Sequence, residues 1–452
     1  MPAKPVRTYL IILSGLVVAI LQVIFLPVEA WDEARRGVNA WEMLARHDYL
    51  NYHYLGAPDT FNTKPPLFTW LVALSFHLFG THAVALRLPS LLALAGFLLY
   101  YRHWLARRFG SGTAILTIGA IVATQGIMGY HVGVSGDTDM LFVGFLTAAS
   151  LKGYDFLSGA RSRDLILAAL LAGLAFLTKG VAAFLVFPGV LAFTLGYGGR
   201  HHGREALPGL GVAALAGGGL LILLGQAGRY PGYDLPYANL LEAMLQRDGV
   251  QRLLDAGMEP ATGTWSVIQA LDIRFGPLVY FLYAGLPYLI WRYGLSGVAT
   301  RVRADRFAVF CACLVASVLL ILQFSSNRHN WYVAPAVPFL AYLFARCTQA
   351  LFPDPRGHRI LIGGVVAYAL AGRLFGLGDG AQVPSLPEIP GSATPRIMYA
   401  DEHLPQDYLF HLYEGLPPGS SVERLRPELG LDDCVAYPGI RVCRGTRAPS
   451  PK

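Results

Sequence analysis

Long apolar runs recur along this chain, and they restrict its fold more than any other feature of the sequence. They extend from Tyr9 to Leu377 and measure about 15 to 21 residues each, close to the roughly 20 that a helix needs to cross a hydrocarbon core about 30 Å thick. Hydrophobic residues make up 54% of the chain and charged residues only 14%, whereas a soluble domain carries roughly 25% charged residues. The sequence therefore predicts an all-α, polytopic membrane protein.

We predict about eleven transmembrane helices from these runs. The first run leads directly into a charged segment that begins at Trp31, which favours an uncleaved span over a signal peptide. A further run, 66–79, follows a Pro-Pro pair and is short for a span, so we predict an interfacial helix there. The predicted spans are 8–27, 88–105, 113–130, 139–157, 164–178, 181–197, 206–226, 277–293, 306–324, 332–350 and 359–377.

The net charge of +7 is distributed in short clusters between apolar runs, which is typical of topology signals and not of a nucleic-acid-binding surface. If 66–79 does not cross the membrane, the clusters fall on the side of the N-terminus. We therefore predict a multi-pass protein of the bacterial inner membrane, with a cytoplasmic N-terminus and a periplasmic C-terminus. The clusters are Arg107/Arg108, Arg161/Arg163, Arg200/Arg204, Arg292/Arg301/Arg303/Arg306 and Arg346/Arg356/Arg359.

This topology divides the chain into a transmembrane domain, 1–377, and a small periplasmic C-terminal domain, 378–452. The transmembrane domain carries two larger periplasmic loops, 28–87, with its interfacial helices, and 227–276. The tail is rich in Pro and Gly, and its fold is not evident from its sequence. Cys434 and Cys443 lie in this tail without a zinc-type spacing, so we predict a disulfide between them in an oxidising compartment.

The first periplasmic loop begins and ends with charged residues at the membrane edge. Asp32 starts an amphipathic helical pattern, where it either caps the helix or acts as a base that faces a membrane-level cavity. Lys64 is held by the Pro65-Pro66 corner at the point of re-entry. It either extends toward the interface from an apolar surface or binds a lipid phosphate.

Further charged residues lie at the same predicted face. Asp137 and Asp139 precede an apolar span, where they either cap the helix or contribute to a site. Lys179 interrupts a long apolar stretch, and an intramembrane charge is by default a functional candidate. The loop that holds Arg328 continues with Asn330, Trp331 and Tyr332, a mixture that suits sugars but also occurs in aromatic belts. Together these groups indicate a site for an anionic, phosphate-bearing substrate whose chemistry needs a base.

Several motifs occur in an order that resembles one known superfamily over residues 30–350. They are WDEARRGVNAWEML, TKPPLFTWL, FG followed by RLPSLLAL, GDTDMLF, LAFLTKG, GPLVYFLYAGLPY and SSNRHNWYVAPAVP. In this respect the chain resembles the GT-C superfamily. The likeness is to the family 39/83 group, which includes protein O-mannosyltransferases and lipid A aminoarabinose transferases.

The resemblance implies an inverting enzyme that moves a sugar from a polyprenyl phosphate to an acceptor on the outer side. It implies that Asp32, with Glu33 beside it, is the carboxylate of the first loop that acts as the catalytic base, and that Lys64 lies near the donor phosphate. Asp139 fits the second acidic motif better than Asp137 does. Arg328 falls in the late basic, aromatic loop of the family.

Two departures from the family pattern bear on a metal. Many relatives have an acid directly before the loop lysine and a histidine before the proline of the later span, which together can hold an ion. Here those positions are Thr63 and Arg274. We therefore expect no metal cofactor and predict that Arg274 binds the donor phosphate.

The sequence thus predicts a hexosyl or pentosyl transferase that uses an undecaprenyl-phosphate-linked sugar. Asp32 would activate the acceptor, and Lys64 would stabilise the leaving phosphate, together with Lys179, Arg274 or Arg328. The acceptor is a lipid A, a glycan or a protein. A transporter of lipid-linked or small solutes is the main alternative, because intramembrane charges also mark transport pathways. A non-catalytic envelope assembly partner is the second.

Overall fold

The computed structural model of this chain describes most of its membrane region. The described residues are 6–28, 32–59, 61–159, 161–197, 266–325 and 329–376, the single residues 242, 244, 246 and 410, and four short strands beyond 394. The predicted span 206–226, most of the predicted loop 227–276, and Arg328 lie outside them.

The described membrane region is α-helical, as predicted. Two short 3-10 helices, Gly180–Val186 and Asn330–Ala336, interrupt it. A two-residue hairpin, β1 (His53–Tyr54) and β2 (Ala57–Pro58), lies in the first loop. The helices are α1 (Val6–Phe25), α2 (Asp32–Arg46), α3 (Leu67–Phe79), α4 (Ala83–Ala123), α5 (Gln125–Met128), α6 (Asp139–Gly159), α7 (Ser162–Lys179), α8 (Phe187–Tyr197), α9 (Val267–Phe275), α10 (Pro277–Ala304), α11 (Arg306–Gln323), α12 (Val337–Leu351) and α13 (Pro355–Phe375).

Glycines with positive φ divide several long helical stretches. Gly110 (φ 81°) divides α4, Gly180 (φ 61°) ends α7, and Gly276 (φ 61°) lies at the sharp bend between α9 and α10. An L-residue with a side chain avoids this backbone region, so glycine permits each change of direction. These breaks occur where the sequence predicted separate spans or span ends.

Among the described residues, six helices are long and apolar enough to cross a membrane, or seven if the bent pair α9–α10 is one span. The predicted count of eleven is not confirmed. One reason is that α12 has only 15 residues, preceded by a 3-10 segment, so the run 332–350 is not one long helix. The run 66–79 forms the 13-residue helix α3, which is shorter than a span, as expected of an interfacial helix.

Two hydrophobic clusters organise the helices. The larger one joins α4, α6, α11 and α12 and contains aromatic rings in tilted and edge-to-face contact, such as Trp104, Phe307 and Tyr342. The smaller one packs α2 against α3 and the start of α4. It also buries Phe410, whose ring lies 6.3 Å from that of Phe76. The C-terminal part of the chain therefore contacts the first loop.

The C-terminal region contains a four-stranded sheet, which the sequence did not reveal. Its strands are β3 (Pro395–Tyr399), β4 (Ser421–Arg424), β5 (Cys434–Tyr437) and β6 (Ile440–Arg444), in the order β4-β3-β6-β5. The pair β3–β4 is parallel and the other two pairs are antiparallel. Cys434 and Cys443 are direct partners across β5 and β6, so the backbone register is compatible with the predicted disulfide, which stays a prediction.

Candidate active site

The N-terminal turn of α2 is fixed by a buried ion pair. Glu33 is 1% exposed, and its carboxylate accepts from Arg87 Nε at 2.6 Å and from Arg87 Nη2 at 2.9 Å. The backbone N–H of Gly136 donates to the same carboxylate at 2.6 Å. Arg87 also donates to the carbonyls of residues 23, 26 and 27, at the end of α1. Glu33 thus ties together α1, α2, α4 and the loop before α6.

Next to this pair, α2 presents Asp32 and Arg36 to the segment between α5 and α6. Arg36 Nε donates to Asp137 Oδ1 at 2.8 Å, and His131 Nδ1 lies 3.4 Å from Asp137 Oδ2. Asp32, His131 and Asp137 each bring an atom within 4.8 Å of the other two. Burial raises the pKa of Asp137, but the charges of Arg36 and His131 outweigh burial and hold it below the usual range of an aspartate. Asp137 is therefore a carboxylate at neutral pH.

The second acid of this segment faces a lysine. Lys179 Nζ lies 2.5 Å from Asp139 Oδ1, and both side chains are largely buried. The ammonium also lies 5.0 Å from the ring centre of Tyr332 and 5.8 Å from that of Phe142, a distance at which an aromatic face attracts a cation. Since Asp137 and Asp139 are two residues apart, the carboxylate group around Asp32 continues directly into this lysine site.

Lys179 and Lys64 line the same cavity, which has a volume of about 510 Å³. Its wall is otherwise mainly apolar and includes Phe184, Leu185 and Phe324. Tyr332 and Ser325 also line the cavity and contribute hydroxyl groups to its wall. The cavity thus combines cations with a hydrophobic wall, an arrangement that suits an amphipathic anion.

A network that starts on α2 positions the backbone of Lys64. Asp59 accepts from Arg35 at 2.6 and 2.9 Å and from Asn39 at 2.9 Å. Asn62 donates to Asn39 at 2.9 Å and accepts from the backbone N–H of Lys64 at 3.2 Å. Burial raises the pKa of Asp59, but the hydrogen bond and charge of Arg35 outweigh it and lower this pKa. The ion pair Arg35–Asp59 therefore holds the loop that carries Lys64.

Arg274 closes the site from α9. It donates from Nε to Asn330 Oδ1 at 2.8 Å and from Nη1 to the carbonyl of Tyr130 at 3.0 Å. Its guanidinium also lies 5.8 Å from the ring centre of Trp331. The Trp331 ring stacks on the imidazole of His131 with a centroid separation of 3.7 Å. Arg274, Asn330 and Trp331 thus hold the 3-10 segment against the loop that contains His131.

Asp32, His131 and Asp137 are also a candidate set of metal ligands, because carboxylate oxygens and imidazole nitrogens bind zinc-like ions. Arg36 already forms an ion pair with Asp137, so a metal ion bound by Asp137 would lie close to the positively charged guanidinium of Arg36. The types of these three residues therefore suit a metal ion, but the neighbouring positive charge does not. The expected absence of a metal stays a prediction.

Comparisons with known proteins agree with this architecture. Residues 63–221 match the family model described as dolichyl-phosphate-mannose-protein mannosyltransferase. The undecaprenyl phosphate-alpha-4-amino-4-deoxy-L-arabinose arabinosyl transferase of Edwardsiella ictaluri (strain 93-146) is 32% identical over 161 residues, which are 34% of this chain and 28% of that protein.

Solved structures extend the likeness over most of the chain. ArnT from Cupriavidus metallidurans, bound to undecaprenyl phosphate, superposes with a TM-score of 0.62 at 20% identity, over 81% of this chain and 64% of that one. The archaeal oligosaccharyltransferase AglB from Archaeoglobus fulgidus, in complex with an inhibitory peptide and a dolichol-phosphate, gives 0.53 at 14% identity, over 84% and 57%. The chain has the GT-C fold. It spans less than two thirds of the length of each of these relatives.

Within the GT-C fold, most of the predicted site residues lie in one contiguous region. Asp32 is near Asp137, Asp139 pairs with Lys179, and Lys64 shares the cavity with Lys179. Glu33 differs from the expectation in one respect, because its carboxylate faces Arg87 and Gly136 in the protein interior. Arg328 lies outside the described residues.

Sequence reasoning missed three site residues, namely Arg36, Arg87 and His131. Arg36 follows Asp32 by four positions, and this helical spacing places two side chains on the same face, so it was detectable. The sequence offers no comparable local signal for Arg87 or His131. Each acts through a partner that the fold brings from another element.

Proposed function

We propose that this protein transfers a glycosyl unit from undecaprenyl phosphate to an envelope acceptor at the periplasmic face of the inner membrane. The proposal rests on two different environments that the fold brings together. Lys64 and Lys179 line an apolar cavity, and Lys179 pairs with Asp139, two residues along the chain from the carboxylate of Asp137 that lies near Asp32. A lipid-linked phosphate suits the first environment, and a hydroxyl that must lose a proton suits the second.

The cavity defines how the donor binds. Polyprenyl chains are apolar and suit a wall of Phe and Leu side chains, whereas the phosphate at the chain's end needs cations. Lys64 and Lys179 are the cations of this wall. The ArnT structure is bound to undecaprenyl phosphate and the AglB structure is in complex with a dolichol-phosphate, which supports a donor of this class here.

The reaction is a single displacement. Asp32 takes the proton of the acceptor hydroxyl while its oxygen attacks the anomeric carbon. The bond between that carbon and the phosphate oxygen breaks, and the lysines stabilise the charge that grows on the departing phosphate. Because the attack comes from the side opposite the leaving group, the anomeric configuration is inverted.

The other predicted residues have supporting roles in this proposal. Glu33 positions the turn that carries Asp32, and Asp139 holds the Lys179 ammonium toward the donor. Arg274 holds the loop that contains Tyr130 and adds positive charge to the site. Arg328 lies outside the described residues and stays a predicted phosphate-binding residue. The sugar is lined by Asp137, Asn330, Trp331 and Tyr332.

The test uses purified protein in lipid vesicles, labelled undecaprenyl-phosphate-linked sugar and the envelope fraction of a deletion strain. Loss of a general base lowers rates by about 10²- to 10⁴-fold, so Asp32→Asn should lose transfer by that factor and remain folded. The matched control is Asp48→Asn, because Asp48 only caps a turn of the same loop, beyond the far end of α2.

Wild-type transfer by a folded Asp32→Asn protein would contradict the assignment of the base. Movement of the labelled lipid across the vesicle without any sugar transfer would favour the transporter alternative. Mass spectrometry of envelope lipids and glycans from the deletion strain would then identify the sugar and the acceptor.

A further inference from the structure

Arg36 has a hydrogen-bonding group that no other described residue uses. The residue is 5% exposed, and its Nε is bound to Asp137. Its Nη1 is buried and has no hydrogen-bond partner among the described residues. Buried N–H groups are nearly always paired, and an unpaired one in a native protein calls for an explanation. A substrate atom that accepts this hydrogen bond would supply one.

The position of Arg36 indicates which substrate it meets. It lies one helical turn after Asp32, and the charges of Asp32 and Asp137 both act on it. The lysines that suit the donor phosphate line the apolar cavity, where Lys179 pairs with Asp139, whereas Arg36 pairs with Asp137 and does not belong to that lining. Arg36 is therefore on the acceptor side of the reaction, next to the proposed base.

Charge then restricts the acceptor group. Around Arg36 two carboxylates, Asp32 and Asp137, face one permanent cation, and a third carboxylate, Asp139, is already paired with Lys179. The imidazole of His131 beside Asp137 adds a positive charge only when it is protonated, and even then the group has no excess positive charge for an anionic acceptor. A phosphate or carboxylate acceptor would place another negative charge against this group in a largely buried site, where like charges repel strongly. A neutral hydroxyl avoids this repulsion. It can donate its hydrogen to Asp32 and present oxygen lone pairs to an N–H donor.

We propose that Arg36 binds the acceptor and that the reacting acceptor group is an uncharged alcohol, as found on a sugar or a hydroxyl side chain. The inference rests on the proposed glycosyl transfer. Arg36 Nη1 donates to the reacting hydroxyl or to an oxygen beside it. The new bond joins the alcohol oxygen to the anomeric carbon, the proton passes to Asp32, and the polyprenyl phosphate leaves. The product is an O-glycoside, not a glycosyl phosphate.

The bond that attaches the sugar in the product shows whether the acceptor group was an alcohol or a phosphate. Full-length protein in vesicles is supplied with undecaprenyl phosphates that carry labelled mannose, glucose or 4-amino-4-deoxy-L-arabinose, together with the envelope fraction of a deletion strain. Mild acid cleaves glycosyl phosphates and leaves ordinary O-glycosides intact. We expect the transferred label to remain attached after mild acid. Release of the label as free sugar would overturn the inference while leaving glycosyl transfer established, and absence of any transfer would overturn both.

Kinetics of Arg36 variants test the role of the residue itself. A hydrogen bond from a charged group is typically worth about one to two powers of ten in affinity. Arg36→Lys, which keeps a cation beside Asp137, should therefore raise the half-saturating amount of acceptor about tenfold or more, with the KM for the donor unchanged. The control is Arg46→Lys at the exposed end of the same helix. An unchanged acceptor requirement in folded Arg36→Lys would refute the role, as would an equal rise for donor and acceptor.

Discussion

The ion pair between Glu33 and Arg87 allows a quantitative test of how the site is held. Both side chains are at most 1% exposed, and two hydrogen bonds of 2.6 and 2.9 Å join them. Replacing Glu33 by Gln removes the negative charge and turns an amide N–H₂ toward a guanidinium. The Arg87 charge then stays buried without compensation, and breaking such a pair costs about 3–5 kcal/mol. We expect a marked fall in thermal stability.

The assay is thermal unfolding in detergent, followed by tryptophan fluorescence and by the recovery of monodisperse protein. Glu42→Gln is the matched control, because Glu42 is also buried on α2 but pairs with Arg46, whose side chain is 40% exposed. Arg46 can turn into water when its partner is lost, so this change should cost about 1 kcal/mol or less. Glu33→Gln should also reduce transfer, since displacement of a catalytic group by about 1 Å can cost roughly 10²-fold.

The double variant Glu33→Gln/Arg87→Met removes both partners of the ion pair. It removes the uncompensated charge, so its stability should exceed that of Glu33→Gln alone. It should not reach the wild-type value, because the carbonyls of residues 23, 26 and 27 lose their donor. Equal melting temperatures for Glu33→Gln and Glu42→Gln would refute the claim that this pair fixes the start of α2.

Three further predictions follow from the fold and the site. A Cβ at Gly37 would come within 2.3 Å of the Phe410 ring, so Gly37→Ala should lower the melting temperature and Phe410→Ala should relieve part of that loss. Equal stability of Gly37→Ala and wild type would exclude this contact. Cys434 and Cys443 should resist alkylation until a reductant is added, because they are direct partners on antiparallel strands; immediate labelling of both would exclude the disulfide. If lysines and not an ion stabilise the leaving phosphate, as proposed, transfer should survive EDTA; loss of activity that a divalent ion restores would contradict this.

The sequence alone predicted the membrane character of this protein and the charged residues at the ends of its apolar runs, because both depend on local signals. A helix in lipid must satisfy its backbone internally and present apolar side chains, so each run of about 20 such residues is informative without its neighbours. Asp32 and Lys64 were detectable for the same reason, since each interrupts an apolar pattern at a membrane edge. Motif order was sufficient to predict the GT-C fold.

The tertiary structure decided which charges neutralise one another and which are left for a substrate. Glu33 and Arg87 are 54 residues apart in sequence, and Arg36 and Asp137 are 101 apart. A sequence gives no register between elements so far apart, because a side chain's partner depends on how whole helices pack. The cost of an unpaired buried charge makes that partner essential to its role. Packing therefore made Glu33 a structural carboxylate, left Asp32 near His131 and Asp137, and placed one helical turn away the Arg36 Nη1, which has no partner in the described part of the chain.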